Sequence, residues 1–213
     1  MRAFALVLLA TATLVPQSPS PSLLLRPDAP EFSQPAPERS VIRFETSKGN
    51  VVMEVRRDWA PLGAARFVNL VRYGYYDNAR IFRIRKGYWA QFGIAGDPAA
   101  SARWRTRTIA DDPPGQSNVR GRVAFAFKDP GGRTTQIYIS LRDNSYQDAQ
   151  GFVPFGEVVE GMDVADALNS EYGEQSGGGI RAGRQQPLFD GGNAWLDREY
   201  PRLDRLLHAA VMR

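Results

Sequence analysis

The chain has 213 residues, no cysteine, one histidine and a formal net charge of +4. This length suits a single domain with a sizeable core, and the missing cysteine excludes disulfides, cysteine-containing zinc sites and a lipid-anchored N-terminal cysteine. A serine-hydrolase triad would have to use His208, and the chain has no Gly-x-Ser-x-Gly turn.

The N-terminus predicts an exported protein. Met1-Arg2 is followed by an apolar run from Ala3 to Val15, which is typical of a secretory signal peptide and too short to span a bilayer comfortably. We expect residues 1–15 to direct export to the periplasm or the medium, with no stable membrane span. Ala10-Thr11-Ala12 offers a small-x-small cleavage motif, a cut a few residues later is equally compatible, and an uncleaved N-terminus that dips into the membrane is the alternative.

Residues 16–38 are rich in proline. They contain seven of the fifteen prolines of the chain, mixed with Ser, Gln and Ala. This composition buries too little apolar surface to order itself and predicts a flexible linker. Docking of Leu23-Leu24-Leu25 on the domain is the alternative. The domain itself is expected over 39–213, with a C-terminal extension from about residue 172.

Short strands and two helices dominate the pattern of this domain. A Gly-containing turn at 47–50 joins two alternating segments, and Pro61 stands where a helix would begin, with Gly74 at its end. Short strands with few helices favour a mainly β, closed barrel over a parallel α/β sheet. The predicted strands are 41–46, 51–57, the surroundings of Arg83 and of Gln91, 122–127, 135–140 and 154–159; the second helix is 162–169; and 96–120 and 174–186 are loops, the latter mobile.

The C-terminus carries a helical pattern. One or two helical turns are expected at 193–200. Five apolar residues then recur at helical spacing, so that periodicity alone predicts a short helix: Leu203, Leu206, Leu207, Ala210 and Val211.

The segment from Ile81 to Gly93 is the most informative part of the chain. Read as strands, its side chains alternate between two faces, and Arg83, Arg85 and Gln91 interrupt an otherwise apolar and aromatic run. An arginine on a half-buried strand is rarely buried without a partner. The ordinary interpretation is that both arginines point to solvent, and the alternative is that they serve a site.

Three segments, in their order along the chain, resemble the motifs of the cyclophilins, a family of peptidyl-prolyl isomerases. Similar residues lie upstream, and the resemblance runs from about Val41 to about Glu171. The matching residues are Ile81-Phe82-Arg83 with Gly87-Tyr88 and Gln91; Ala126 to Pro130 with Thr135-Gln136-Ile137-Tyr138-Ile139; Phe155 to Val164; and, upstream, Thr46 to Asn50, Ala60-Pro61 and Tyr75-Tyr76-Asp77.

The resemblance implies a closed eight-stranded antiparallel β-barrel capped by a helix at each end. Cyclophilins finish with a strand that closes the barrel. Leu206 to Met212 is the only segment left to supply that strand, so a strand is expected there in place of the helix that periodicity indicates.

The reaction that the resemblance implies is rotation about the peptide bond that precedes proline. Its barrier is about 18–20 kcal/mol, because the amide nitrogen shares its lone pair with the carbonyl. Rotation requires no nucleophile, metal, acid–base pair or cofactor. A guanidinium stays charged and can donate to the proline carbonyl while lying near the nitrogen, and it accelerates rotation if it fits the twisted bond better than the planar one.

Carried over position by position, the resemblance assigns catalysis to Arg83, with Gln91 beside it to fix its orientation and to bind substrate backbone. Plain core packing is the alternative for each aromatic residue at the site. The expected partners are proline-containing peptides and unfolded or folding proteins, and the chain is expected to act as a monomer. The remaining matched positions are expected to bind substrate: Gln136 and Ala126 by contacting the backbone of the substrate peptide, and Tyr88, Trp89, Tyr138, Tyr146 and Phe152 as the lining of the proline pocket.

The chain departs from the family pattern at several positions. Phe82 replaces the usual histidine, Tyr88 and Tyr138 replace phenylalanine, and Tyr146 stands where tryptophan is frequent. Tyrosine hydroxyls would make the pocket more polar and slightly smaller, and Tyr146 predicts weak cyclosporin binding. The alternative function is therefore a catalytically weak or inactive module that binds proline-containing partners.

Two further features have plainer interpretations. Basic clusters at 80–86 and 103–107 with interleaved aromatics are typical of a nucleic-acid surface. An exported protein seldom meets nucleic acid, so they are expected to be solvated or to attract acidic polymers.

Asp111-Asp112 could bind a cation, although adjacent aspartates in a turn are usually solvated. The sequence predicts no metal site, cofactor or nucleic-acid partner.

Overall fold

The computed structural model describes residues 21–180 and 183–212. The predicted signal peptide at residues 1–15 and the first residues of the predicted linker lie outside these ranges. Within the described ranges, no helix is both long enough and apolar enough to cross a membrane.

Nine strands of the described residues form one antiparallel sheet. Their order across the sheet is β3-β9-β1-β2-β8-β6-β7-β5-β4. The mainly β class predicted from the sequence is confirmed, with nine strands where eight are expected. The strands are β1 (Arg39–Thr46), β2 (Gly49–Arg56), β3 (Ala79–Arg80), β4 (Arg83–Arg85), β5 (Trp89–Phe92), β6 (Arg122–Phe125), β7 (Ile137–Ser140), β8 (Pro154–Glu160) and β9 (Arg205–Val211).

The β1–β2 hairpin follows from the alternation of its side chains. Ile42 of β1 lies opposite Met53 of β2 in the register, and both are buried together with Val55, while the residues between them are more exposed. The turn closes through Gly49, whose φ of +130° lies in a region that L side chains rarely adopt.

The two edges of the sheet come from one stretch of chain. Only Ile81 and Phe82 separate β3 from β4; β3 pairs with β9 and β4 pairs with β5. The backbone N–H of Ile81 also donates to the Asp204 carbonyl, at 2.9 Å. No ladder joins β3 to β4 within the described residues, so the observed architecture is a curled nine-stranded sheet.

Five α-helices accompany the sheet within the described ranges. The helix predicted from Pro61 is confirmed, whereas the one predicted at 162–169 is shorter. A helix interrupts the loop predicted at 96–120. The Asp97 carboxylate caps the N-terminus of this helix by accepting from Ala99 N at 2.8 Å. The last helix is longer than the turns predicted at 193–200 and contains a non-helical residue, Gly192. The helices are α1 (Pro21–Leu24), α2 (Pro61–Arg72), α3 (Pro98–Trp104), α4 (Met162–Asp166) and α5 (Gln186–Glu199).

Aromatic rings fill the space between α2 and the sheet. The ring centroid of Phe67 in α2 lies 4.9 Å from that of Phe155 and 6.1 Å from that of Phe44. A second, smaller cluster includes residues of α5. Phe82, at the position where the family usually has histidine, belongs to it and is fully buried. The members of this cluster are Phe82, Ile94, Leu188, Phe189, Leu196 and Leu203.

The proline-rich segment packs against the domain. The ring centroid of Phe32, which is 8% exposed, lies 4.7 Å from that of Trp104. Asn69 Nδ2 donates to the Gln34 carbonyl at 2.6 Å. The flexible linker predicted from residue 16 is therefore wrong for residues 23–38. The alternative, docking of Leu23-Leu24-Leu25, is confirmed for Leu23, which joins the main core, and for Leu24, whose carbonyl accepts from Trp104 Nε1 at 2.9 Å. The contact of Phe32 was not predicted, because Trp104 belongs to α3, in a region predicted as a loop.

The C-terminal segment is a strand. β9 pairs with β1 and with β3, so the helix indicated by periodicity is wrong and the strand implied by the resemblance is confirmed. A register shift between Glu45 and Thr46 marks a bulge in the β1–β9 ladder. Leu206 and Ala209, three residues apart, are therefore both buried. The bulge gives this strand the apolar spacing of a helix.

Asp112 is a buried structural residue. Its Oδ2 accepts from Arg133 Nη1 and from Gly63 N, and its Oδ1 accepts from Leu62 N, each at 2.9 Å. The carboxylate therefore pairs with a buried guanidinium and caps the first turn of α2. Both interpretations of the Asp111-Asp112 pair, a cation site and a solvated turn, are wrong for Asp112.

Candidate active site

A cavity of about 1080 Å³ lies where β4, β5 and β7 meet the loops around them. Its lining includes eight of the nine predicted site residues, which come from distant parts of the sequence. Tyr88 is the exception. The eight are Arg83, Trp89, Gln91, Ala126, Gln136, Tyr138, Tyr146 and Phe152.

Arg83 and Gln91 face each other across the β4–β5 hairpin. They are register partners, and Arg83 Nη1 donates to Gln91 Oε1 at 2.7 Å. Ile84, between the two arginines of β4, points to the opposite face and joins the main core. Arg83 is only 8% exposed, so the interpretation of both arginines as solvent-facing is wrong for Arg83.

Glutamines continue the hydrogen-bond chain along the cavity. Gln91 Nε2 donates to Gln136 Oε1 at 2.8 Å, and Gln136 Nε2 donates to Gln185 Oε1 at 2.9 Å. Because each amide donates to the next, the Gln91 oxygen stays turned towards Arg83. This series of hydrogen bonds therefore fixes the position of the Arg83 guanidinium.

Glu174 also pairs with Arg83, a contact that was not predicted from the sequence. The Glu174 carboxylate accepts a hydrogen bond from Arg83 Nη2. Burial lowers the pKa of the Arg83 guanidinium from its ordinary value, and the charge and hydrogen bond of Glu174 oppose that shift. The loop predicted as mobile is anchored here, since Ile84 N donates to the Gly173 carbonyl at 3.0 Å and the Ser176 hydroxyl donates to the Phe82 carbonyl at 2.5 Å.

Aromatic side chains form one wall of the cavity. The rings of Phe152 and Phe127 stack with their centroids 4.4 Å apart, and Tyr138 meets Phe152 edge-on at 5.8 Å. Phe127 was not among the predicted site residues, although it directly follows Ala126. Tyr146 is 52% exposed and lies in the cavity lining. The wall can receive a compact apolar ring.

Tyr88 lies beside the cavity and is not among the residues that line it. Its ring centroid is 4.0 Å from the guanidinium carbon of Arg85 and 4.7 Å from that of Arg142. Its backbone carbonyl accepts from Asn144 Nδ2 at 2.7 Å. Tyr88 precedes the first residue of β5, and its ring packs on arginine side chains.

The Tyr138 hydroxyl does not make the cavity more polar, contrary to the expectation from the sequence. It lies 2.7 Å from Asn118 Oδ1 and 2.9 Å from Gln147 Oε1. Burial raises the pKa of this hydroxyl well above its ordinary value, so it remains protonated and can donate.

A Tyr138→Phe variant is therefore expected to keep kcat/KM within about threefold, a difference below 1 kcal/mol. Its free energy of unfolding should fall by about 1–3 kcal/mol, because the fully buried Asn118 loses a partner. Urea unfolding and an activity assay on the same sample measure both effects. A tenfold gain in activity would show that the hydroxyl does restrict the pocket.

Within the described residues, no group of three or more His, Cys, Asp or Glu side chains is placed to hold a metal ion. His208 Nδ1 lies 3.0 Å from Asp77 Oδ1 at an exposed position outside the cavity lining. The functional groups that converge on the cavity include one buried guanidinium, a chain of amides and an aromatic wall. Such a set can bind an amide carbonyl and an adjacent apolar ring.

Comparison with known families and proteins gives a consistent result. Residues 41–187 match the family model described as cyclophilin type peptidyl-prolyl cis-trans isomerase/CLD. Peptidyl-prolyl cis-trans isomerase B of Escherichia coli (strain K12) is 29% identical over 146 residues, which cover 64% of this chain and 88% of that protein. A probable peptidyl-prolyl cis-trans isomerase of Brucella abortus (strain 2308) is 30% identical over 152 residues, 66% of this chain and 76% of that protein.

Solved structures agree on the fold. The crystal structure of a cyclophilin type peptidyl-prolyl cis-trans isomerase from Cryptosporidium parvum has a TM-score of 0.60 at 17% identity and covers 82% of this chain and 98% of that chain. The structure of the same protein in the presence of the dipeptide Ala-Pro has a TM-score of 0.57 at 17% identity, with coverages of 81% and 99%.

Proposed function

This chain belongs to the cyclophilin family of peptidyl-prolyl cis-trans isomerases, and we propose that it isomerises Xaa-Pro bonds at the cavity around Arg83 and so assists the folding of exported proteins. The observation that carries the proposal is the pairing of the buried Arg83 guanidinium with Gln91 in the cavity lining. Proline-containing segments of unfolded or folding proteins are the proposed partners of a monomeric enzyme.

Arg83 is the proposed catalytic group. Gln91 and Glu174 occupy two of its five N–H donors, which leaves donors for the carbonyl of a substrate proline. Rotation localises the lone pair on the proline nitrogen, and a nearby guanidinium stabilises that state more than either planar amide. A rate acceleration of about 10⁵ would require about 7 kcal/mol of this preference.

The other cavity residues bind the substrate in this proposal. Trp89, Tyr138 and Phe152 receive the proline ring, while Gln136 and Ala126 contact the peptide backbone. Their places in the cavity lining support these roles. The structure of the Cryptosporidium parvum protein in the presence of the dipeptide Ala-Pro supports a proline-containing ligand.

The proposal extends to the architecture and to the destination of the chain. If residues 79–85 are counted as one bent strand, its two ends pair with β9 and with β5, and eight strands close into a barrel. The apolar run from Ala3 to Val15 supports export to the periplasm or the medium.

The purified protein is expected to accelerate cis-to-trans conversion of an Ala-Xaa-Pro-Phe peptide by a factor of at least about 10³, against an uncatalysed reaction of tens to hundreds of seconds. A protease-coupled assay at low temperature measures this rate. Folded protein that binds the peptide without accelerating it would make the chain a binding module. N-terminal sequencing of protein from cell fractions tests export, and an intact Met1 in cytoplasmic protein would contradict it.

A further inference from the structure

Four cations around the cavity have no carboxylate partner among the residues that the structure describes. Arg85, Arg105, Lys128 and Arg184 are exposed residues of the lining, and none forms an ion pair within the described part of the chain. Glu174, the single acidic residue of the lining in the described ranges, is already paired with Arg83. The cavity therefore carries an excess of positive charge.

Elsewhere on the surface, many arginines have a carboxylate within 4 Å. Others, such as Arg26, Arg57 and Arg72, have none within the described residues. The cavity differs in gathering four unpaired cations around one concave site whose carboxylate is already paired. The paired arginines include Arg43, Arg56, Arg107, Arg120, Arg198 and Arg202.

Two of the four cations are held in place by aromatic rings. The guanidinium carbon of Arg85 lies 4.0 Å from the ring centroid of Tyr88, and that of Arg105 lies 4.6 Å from the ring centroid of Phe189. A guanidinium stacked on a ring keeps its N–H donors free for a carboxylate. Less side-chain entropy is lost when such a group binds a ligand.

The four cations come from separate elements that surround the cavity. Arg85 ends β4, Arg105 follows α3, Lys128 lies in the loop after β6, and Arg184 precedes α5. Charges of one sign around a concave site concentrate the field and raise the local concentration of oppositely charged ligands. A peptide with its proline against the aromatic wall would extend past this ring of cations in either direction.

We propose that this isomerase prefers acidic substrates, namely Xaa-Pro segments with aspartate or glutamate a few residues from the proline. The inference rests on the proposed function, since it places the proline at the same cavity. Arg85, Arg105, Lys128 and Arg184 determine this specificity by pairing with substrate carboxylates.

The test compares three peptides that share an Ala-Ala-Pro-Phe core and carry glutamate, glutamine or lysine on both sides. At low salt, kcat/KM is expected to be about tenfold higher for the glutamate peptide than for the lysine peptide, and the ratio should approach one near 1 M salt, where the Debye length is about 3 Å. Fluorescence anisotropy gives the Kd of each peptide independently of turnover.

Charge-reversal variants locate the effect. Lys128→Glu combined with Arg184→Glu is expected to abolish or invert the glutamate-to-lysine ratio. The matched control is Lys48→Glu, an exposed cation in the β1–β2 turn outside the cavity lining, which should keep the wild-type ratio and activity. Both variants change exposed positions, and their circular dichroism and melting temperature confirm that they are folded.

The outcomes separate the inference from the proposed function. Equal kcat/KM for the three peptides at low salt, or an unchanged ratio in the double variant, would overturn the acidic preference while leaving the isomerase intact. Tighter binding of the glutamate peptide without any turnover would support the preference and overturn the proposed isomerisation.

Discussion

An Arg83→Ala variant is expected to lose about 100- to 1000-fold in kcat/KM for a neutral Xaa-Pro peptide, the typical effect of removing one preorganised donor from a desolvated site. Arg83 is 8% exposed and is held by Gln91, so its guanidinium is a preorganised donor. Peptide affinity should change only severalfold, because the aromatic wall remains. The measurement is kcat/KM from the coupled assay, together with the Kd of the peptide.

Two further variants separate the guanidinium from its surroundings. Arg83→Lys keeps the charge but loses the planar array of donors, so it should recover only a small part of the activity. Removing Arg83 leaves the Glu174 carboxylate without its partner. Arg83→Ala combined with Glu174→Gln therefore controls for a misplaced negative charge. More than half of the wild-type kcat/KM in this double variant would place catalysis elsewhere.

The site was predictable where it depends on local geometry. Arg83 and Gln91 lie on adjacent strands of one hairpin, and a period of two puts their side chains on one face. The family motifs then brought Gln136, Tyr138 and Phe152 to the same cavity. The strand β9 also followed from the resemblance, against its own periodicity, because the fold needs a strand at that place in the sheet.

Contacts between distant, weakly patterned segments were not predictable. Glu174 meets Arg83 across 91 positions of sequence and Gln185 meets Gln136 across 49. Both lie in a segment rich in Gly and Arg whose composition is that of a mobile loop. The docking of Phe32 depends in the same way on α3, whose sequence has no apolar period strong enough to predict a helix.

An Asp112→Ala variant is expected to lower the free energy of unfolding by about 3–5 kcal/mol, the usual cost of removing one partner from a buried ion pair. The side chains of Asp112 and Arg133 are 0% and 2% exposed. The substitution removes the buried carboxylate that neutralises the Arg133 guanidinium. It also removes the acceptor for Leu62 N and Gly63 N. The midpoint and slope of urea unfolding measure the loss.

Asp111→Ala is the matched control, since it removes the neighbouring carboxylate from the same guanidinium. The Asp111 side chain is 37% exposed and lies 3.1 Å from Arg133 Nε, so water compensates for much of its loss and the expected cost is about 1 kcal/mol or less. Burial and the cap on α2 therefore predict a large difference between two adjacent aspartates. Equal losses in the two variants would contradict this account, because they would mean that the charge of Arg133, and not its burial with Asp112, sets the stability of this turn.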